Sequence, residues 1–120
     1  MAELAVLGCT VSIISEQTAT TISITTPPSS DIAVNGKGVY FGDIDVALTA
    51  ITAGSFTCAE GTITIEATGA NVLEGAKKAV LKGDSGTKTL TFTESSSGTT
   101  MEISVTVQVT DAGQTDVDAS

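Results

Sequence analysis

The chain has 120 residues and a formal charge of −9, from 14 acidic residues against five lysines, with no arginine and no histidine. That length fits one domain without an appended enzyme, and the acidity argues against nucleic acid or an anionic bilayer as partner, since both need a cationic surface. With 21 Thr, 12 Ser and only four aromatics, the composition is that of strands and turns, and an all-β fold is expected with little or no helix.

Residues 3 to 14 read as an opening strand or bent pair of strands: Leu4, Val6, Val11, Ile13 and Ile14 are apolar and Gly8 marks a break. Thr20 to Thr25 alternates as a strand with Ile22 and Ile24 on one face, and Pro27-Pro28-Ser29-Ser30-Asp31 stops it, because proline lacks the ladder donor. Ile32 to Val34 and Gly38 to Phe41 flank Asn35-Gly36, a hairpin signal that rests on the positive φ a type I′ turn needs at both central residues. Gly42-Asp43 closes that unit, with glycine freeing the backbone and Asp bonding locally to the turn.

The apolar spacing from Ile44 to Ile51 is compatible with a strand or one helical turn, and the β-branched Thr49, Ile51 and Thr52 favour the strand; residues 53 to 61, with Phe56 and Cys58, read as a loop. Glu74-Gly75-Ala76-Lys77 marks a second turn, expected to be longer and looser than the first, and Gly83-Asp84 closes its unit. Lys88 to Thr93 and Met101 to Val109 alternate cleanly and form a C-terminal hairpin. Residues 111 to 120 carry three Asp and are expected as a flexible acidic tail on a single domain spanning 1 to 110.

The chain repeats itself. Ile22-Ser23-Ile24 returns as Ile63-Thr64-Ile65, and Gly42-Asp43 as Gly83-Asp84, each pair 41 residues apart. The repeats run over about 21 to 43 and 62 to 84, and a fainter copy at 4 to 9 sets Ala5-Val6-Leu7-Gly8-Cys9 beside Val39-Tyr40-Phe41-Gly42-Asp43 and Val80-Leu81-Lys82-Gly83-Asp84. Units too short to bury their own apolar faces must share a core, so three of them predict approximate threefold symmetry within one polypeptide. In this alignment Val6, Tyr40 and Leu81 face the core, whereas Leu7, Phe41 and Lys82 share an exposed face. Leu7 and Phe41 are therefore candidate partner-binding residues, against the alternative that both are satellite core.

Catalysis is not expected. Acid–base chemistry usually recruits histidine, nucleophilic Ser or Cys needs an adjacent base, and Gly36-Lys37-Gly38 lacks the phosphate-loop pattern. Cys58 or an Asp pair would be the only starting points for a hydrolase. Cys9 and Cys58 are expected as free thiols. No run approaches the roughly 18 to 20 apolar residues of a membrane span. The opening Met1-Ala2-Glu3-Leu4 has no signal-peptide character, so synthesis and assembly in the cytoplasm are expected.

The phrase from Asp31 to Asp43, with Asn35-Gly36-Lys37 and Gly42-Asp43 at its centre and end, resembles the repeat of PAAR and PAAR-like spike-tip proteins. Those run approximately as Asn-Val-(small)-Val-Asn-Gly-Lys-Pro-(apolar)-Ala-Arg-(apolar)-Gly-Asp. The segment from Asn71 through Gly75 to Gly83-Asp84 resembles a weaker copy, and Gly8-Cys9 falls where such proteins often begin with Gly-Asp. The resemblance covers roughly residues 4 to 86. It departs at Gly38 and Tyr40, which stand near the family's Pro and Arg.

What the resemblance implies is a small pyramidal, cone-like β-protein with internal pseudo-threefold repeats, extended here by the hairpin of residues 88 to 109. It would be monomeric alone and sit singly on a trimeric β-helical spike. It would sharpen the spike of a contractile injection machine, such as a type VI secretion system, a contractile phage tail or a phage-tail-like particle, touching a target membrane only transiently. Family tips commonly hold a metal with three His and a Cys. Without histidine that zinc site is not expected, and no other cofactor is implied. The alternative is a phage decoration or fibre module forming its own homotrimer.

Overall fold

The structure, a computed structural model, describes residues 3–114. Ten strands follow in order: β1 (Thr10–Ile13), β2 (Thr21–Ile24), β3 (Ala33–Val34), β4 (Lys37–Gly38), β5 (Ile44–Ala53), β6 (Phe56–Ile65), β7 (Gly69–Glu74), β8 (Lys77–Ala79), β9 (Ser85–Glu94) and β10 (Thr100–Asp111). Among the described residues there is no helix.

Six strands form one antiparallel sheet in the order β1-β10-β9-β6-β5-β2, which curls into a nearly closed barrel whose seam lies between β1 and β2. The molecule measures 50 × 24 × 23 Å. Period-two alternation explains the barrel wall, because successive side chains of a strand point to opposite faces. Ile44, Val46 and Leu48 of β5, Ile63 and Ile65 of β6, Phe92 of β9 and Val105, Val107 and Val109 of β10 are fully buried. Outward positions carry hydroxyls that pair across strands, as Thr87 with Thr106 at 2.8 Å and Thr89 with Ser104 at 3.2 Å. Such cross-strand pairs each stabilise a sheet by roughly 0.2–1 kcal/mol.

Inward residues of β5 change parity after Leu48, resuming at Ile51, and Ala50 between them has a left-handed φ of 48°. That single residue rotates the strand about its axis. It explains why Ile44, Val46, Leu48 and Ile51 do not keep a period of two.

Residues 53 to 61, expected as a loop, belong almost wholly to the β5–β6 hairpin. Only Gly54-Ser55 turns, and Phe56 pairs with Ala53. Phe56 and Cys58 are half-buried against the barrel core, and that tertiary burial outweighs the local Gly and Ser content. The tail is shorter than expected at its start. Asp111 ends β10, the Ala112 carbonyl accepts from Val6 N at 3.0 Å, and Gln114 Nε2 donates to the Leu4 carbonyl at 2.9 Å. The rest of the expected tail lies outside the described residues.

Candidate functional site

One end of the barrel is closed by a cap of three short segments, Leu4-Ala5-Val6, Val39-Tyr40-Phe41 and Ala79-Val80-Leu81. Their antiparallel bridges run in a ring: Val6 with Val39, Phe41 with Ala79, Leu81 with Leu4. The central residues close a triangle of backbone hydrogen bonds, Tyr40 N to Ala5 O at 3.0 Å, Val80 N to Tyr40 O at 2.9 Å, and Ala5 N to Val80 O at 2.8 Å. An outer ring repeats the relation, with Leu7 N donating to Gly38 O, Gly42 N to Lys78 O and Lys82 N to Glu3 O, all at 2.7–2.9 Å. Each backbone donor thus finds its acceptor in the neighbouring copy, which satisfies groups that would be costly to bury unpaired.

The cap has two apolar faces. Ala5, Tyr40 and Val80 pack into the barrel core, while Leu4, Val6, Val39, Phe41, Ala79 and Leu81 form a second cluster joined by Ile32 and Val34. This corrects the alignment of the middle copy by one residue: Phe41, not Tyr40, is the equivalent of Val6 and Leu81. Of the two candidates on that face, Phe41 is satellite core at 7 % exposed, whereas Leu7 is 53 % exposed.

The reason for the slip lies in the closing turns. Val6 to Cys9 and Leu81 to Asp84 make the same tight turn, with Cys9 N bonded to Val6 O and Asp84 N to Leu81 O, and Gly8 and Gly83 both at φ 97°. In the middle copy Gly42, at φ 75°, follows Phe41 directly, so the glycine comes one residue earlier.

The two Gly-Asp pairs are not equivalent in use. Asp84 is buried, and its carboxylate accepts from Leu81 N at 2.9 Å, Thr68 N at 3.1 Å and Thr68 Oγ1, tying the turn to the segment that leaves β6. Asp43 is exposed. Cys9 replaces Asp in the first copy, where burial first and the nearby Asp111 second push its thiol up to about 11.

Hairpins β3–β4 and β7–β8 stand beside the cap. Asn35 and Gly36 have φ of 54° and 80°, the type I′ turn predicted for them. The second turn is not longer. Glu74 pairs with Lys77 across Gly75-Ala76, and Gly75 at φ 62° with Ala76 outside the left-handed region fits a type II′ turn. The irregularity lies instead in the β7 ladder, whose register shifts between Gly69 and Leu73. Lys37 and Lys77 occupy the same position after their turns. With Lys78 and Lys82 they place four of the five lysines at the cap, where Lys82 meets Glu3 at 3.8 Å.

The third copy of the Ile-x-Ile pair, absent from the sequence alignment, is Val107-Gln108-Val109. In β10 its two valines pair with Ile13 and Val11, as Ile22 and Ile24 of β2 pair with Leu48 and Val46. The repeat is divided between the two ends of the chain, so the signal was an alternation without an adjacent motif.

An open groove of about 470 Å³ beside the β7–β8 hairpin is lined by Gly42, Asp43, Glu66, Ala67, Ala76, Lys77 and Lys78. It contains no nucleophile paired with a base. The Cys58 thiol points to the Glu60 carbonyl at 3.3 Å. Among the described residues no three Cys, Asp or Glu side chains are gathered as a metal site would require, and both cysteines are free thiols. No described helix is long and apolar enough to cross a membrane.

Comparison with family models, with curated proteins and with solved structures returns no match.

Proposed function

We propose that the chain is a non-enzymatic structural protein that caps a trimeric β-helical spike, one copy per trimer, and sharpens it for puncturing a target envelope. The observation that carries this reading is the backbone triangle of Ala5, Tyr40 and Val80. A single polypeptide with a threefold end meets three identical chains without leaving any of them unmatched, so asymmetry costs no contacts.

The cap is the end that docks. There the rotation is kept to within a few tenths of an ångström in hydrogen-bond length, and Lys37 and Lys77 recur on two of the copies. The far end loses it, since the connections between β1 and β2, β5 and β6, and β9 and β10 span residues 14–20, 54–55 and 95–99. A symmetric partner fits only the symmetric end. In this reading the protein is made in the cytoplasm, assembled into the injection particle and carried outside on contraction, without cofactor or nucleic acid.

Native mass measurement of the chain purified with the spike protein of its own particle tests the proposal. One chain to three spike subunits is expected, and a one-to-one complex overturns it. The chain alone should be monomeric. A homotrimer of the isolated chain would favour a decoration or fibre module instead.

A further inference from the structure

The barrel wall is incomplete away from the cap. Strand β1 ends where Ile14 N bonds the Thr106 carbonyl at 2.9 Å and Ser15 Oγ accepts from Thr106 N at 3.1 Å. Beyond that point β10 continues through Thr100–Val105 with β9 on one side and, among the described residues, no strand on the other. The hairpins β5–β6 and β9–β10 reach the far end. The connection from β1 to β2 leaves β10 after Ser15 and crosses to the edge of β5, where Thr18 exchanges backbone hydrogen bonds with Thr52 at 2.7 and 3.1 Å, so it pairs with β5 and not with Thr100–Val105.

Backbone direction along β10 fixes which groups this leaves open. Val109 bonds toward the β9 side, through Gly83 N at 2.8 Å and Asp84 O at 2.9 Å, while Thr106 bonds toward β1. With a period of two, the N–H and C=O of Glu102 and Ser104 point to the side without a strand. The inward face beside them is apolar and uncovered: Met101, paired with Phe92, is 47 % exposed, and Ile103 is half-buried. Glu102 lies exposed on the edge itself, and the exposed Glu16 follows Ser15 in the connection from β1 to β2. Lys88, across from Val105, is the single lysine on the barrel strands.

We propose that this edge accepts an extended segment of a partner polypeptide as an added strand against Thr100–Val105. The segment would be apolar at alternate positions, to cover Met101 and Ile103, and cationic between them, to meet Glu102 and the nearby Glu16. Strand addition takes its affinity from main-chain hydrogen bonds and its specificity from alternate side chains. A second copy of this chain is the poorer occupant, because it brings another charge of −9 and another Glu102 to the same edge. The proposal stands apart from the spike-capping role, since it concerns the opposite end of the molecule.

The test uses the full chain and two blocked octapeptides, one alternating valine with lysine and one alternating valine with glutamate, with amide exchange followed by residue. The lysine peptide at millimolar concentration is expected to slow exchange at Glu102 and Ser104 by about tenfold or more, and the glutamate peptide to leave it unchanged. Ser104→Pro removes an outward N–H that bonds no strand, so it should keep the fold yet weaken the lysine peptide by about tenfold. Glu102→Lys should transfer the preference to the glutamate peptide, and it decides the matter if the proline variant does not fold. No protection at saturation, protection centred on other strands, or unchanged binding by the variants would overturn the proposal.

Discussion

The Tyr40 amide donates to the Ala5 carbonyl at 3.0 Å, and the same bond recurs from Val80 to Tyr40 and from Ala5 to Val80. Segments distant in sequence are thereby locked around one axis, and the first of them is completed only by the end of the chain. Gln114 Nε2 reaches the Leu4 carbonyl at 2.9 Å, so the described ends lie side by side. Joining the termini through a Gly-Ser linker and opening the chain between Ser97 and Gly98 should therefore give a folded monomer. Its melting temperature is expected within about 8 °C of the parent, the shift of roughly 1 kcal/mol in a domain of this size. A permutant without cooperative melting would contradict the ring.

Phe41 and Leu7 should separate sharply under mutation. Phe41→Ala leaves a cavity in the cluster shared with Val6 and Leu81 and should cost about 3–5 kcal/mol. Leu7→Ser, at a side chain 53 % exposed, should change stability by no more than about 0.5 kcal/mol. Denaturant melts of the two variants measure this. In the capping reading, Leu7→Ser weakens the spike complex and leaves the monomer intact.

Asp84 and Asp43 look alike in sequence and should behave differently. Removing the Asp84 carboxylate leaves Leu81 N and the Thr68 donors without their acceptor, so Asp84→Ala should cost about 2–3 kcal/mol. Asp43→Ala should fall within about 0.5 kcal/mol of the parent, because the residue is exposed. Equal losses from the two would show that the Gly-Asp motif acts through its sequence and not through these contacts.

Cys9 predicts a pH dependence with a definite sign. Burial raises its folded-state thiol from 9.0 to about 11, so folding favours the protonated form. The contribution is complete below about 9 and is lost as pH climbs toward about 11. The stability gap between the parent and Cys9→Ala should narrow across that window, as read by thermal melts of both proteins from pH 8 upward. A constant gap would refute it.

Much of the strand content was legible. The C-terminal hairpin, the Pro27-Pro28 stop and the Asn35-Gly36 turn could each be read, because each depends on a property local to its residues: side-chain direction, a missing N–H, a permitted φ. The Phe56 to Cys58 strand was not legible, since its half-buried residues earn their place from the barrel core and not from neighbours along the chain. Phe41 was set one position wrong for a similar reason. Its copy closes on Gly42 one residue early, and only the bridge to Ala79 reveals the offset.

The sequence by itself therefore determined that this is a repeated, all-β, acidic chain with turns at fixed places. Tertiary structure alone decided that the repeats close in a ring, that Val107-Gln108-Val109 joins Leu4-Ala5-Val6 as the missing copy, and that one barrel edge stays open. Ring closure is a matter of which backbone amide meets which distant carbonyl, and side-chain pattern along a strand carries no record of that partner.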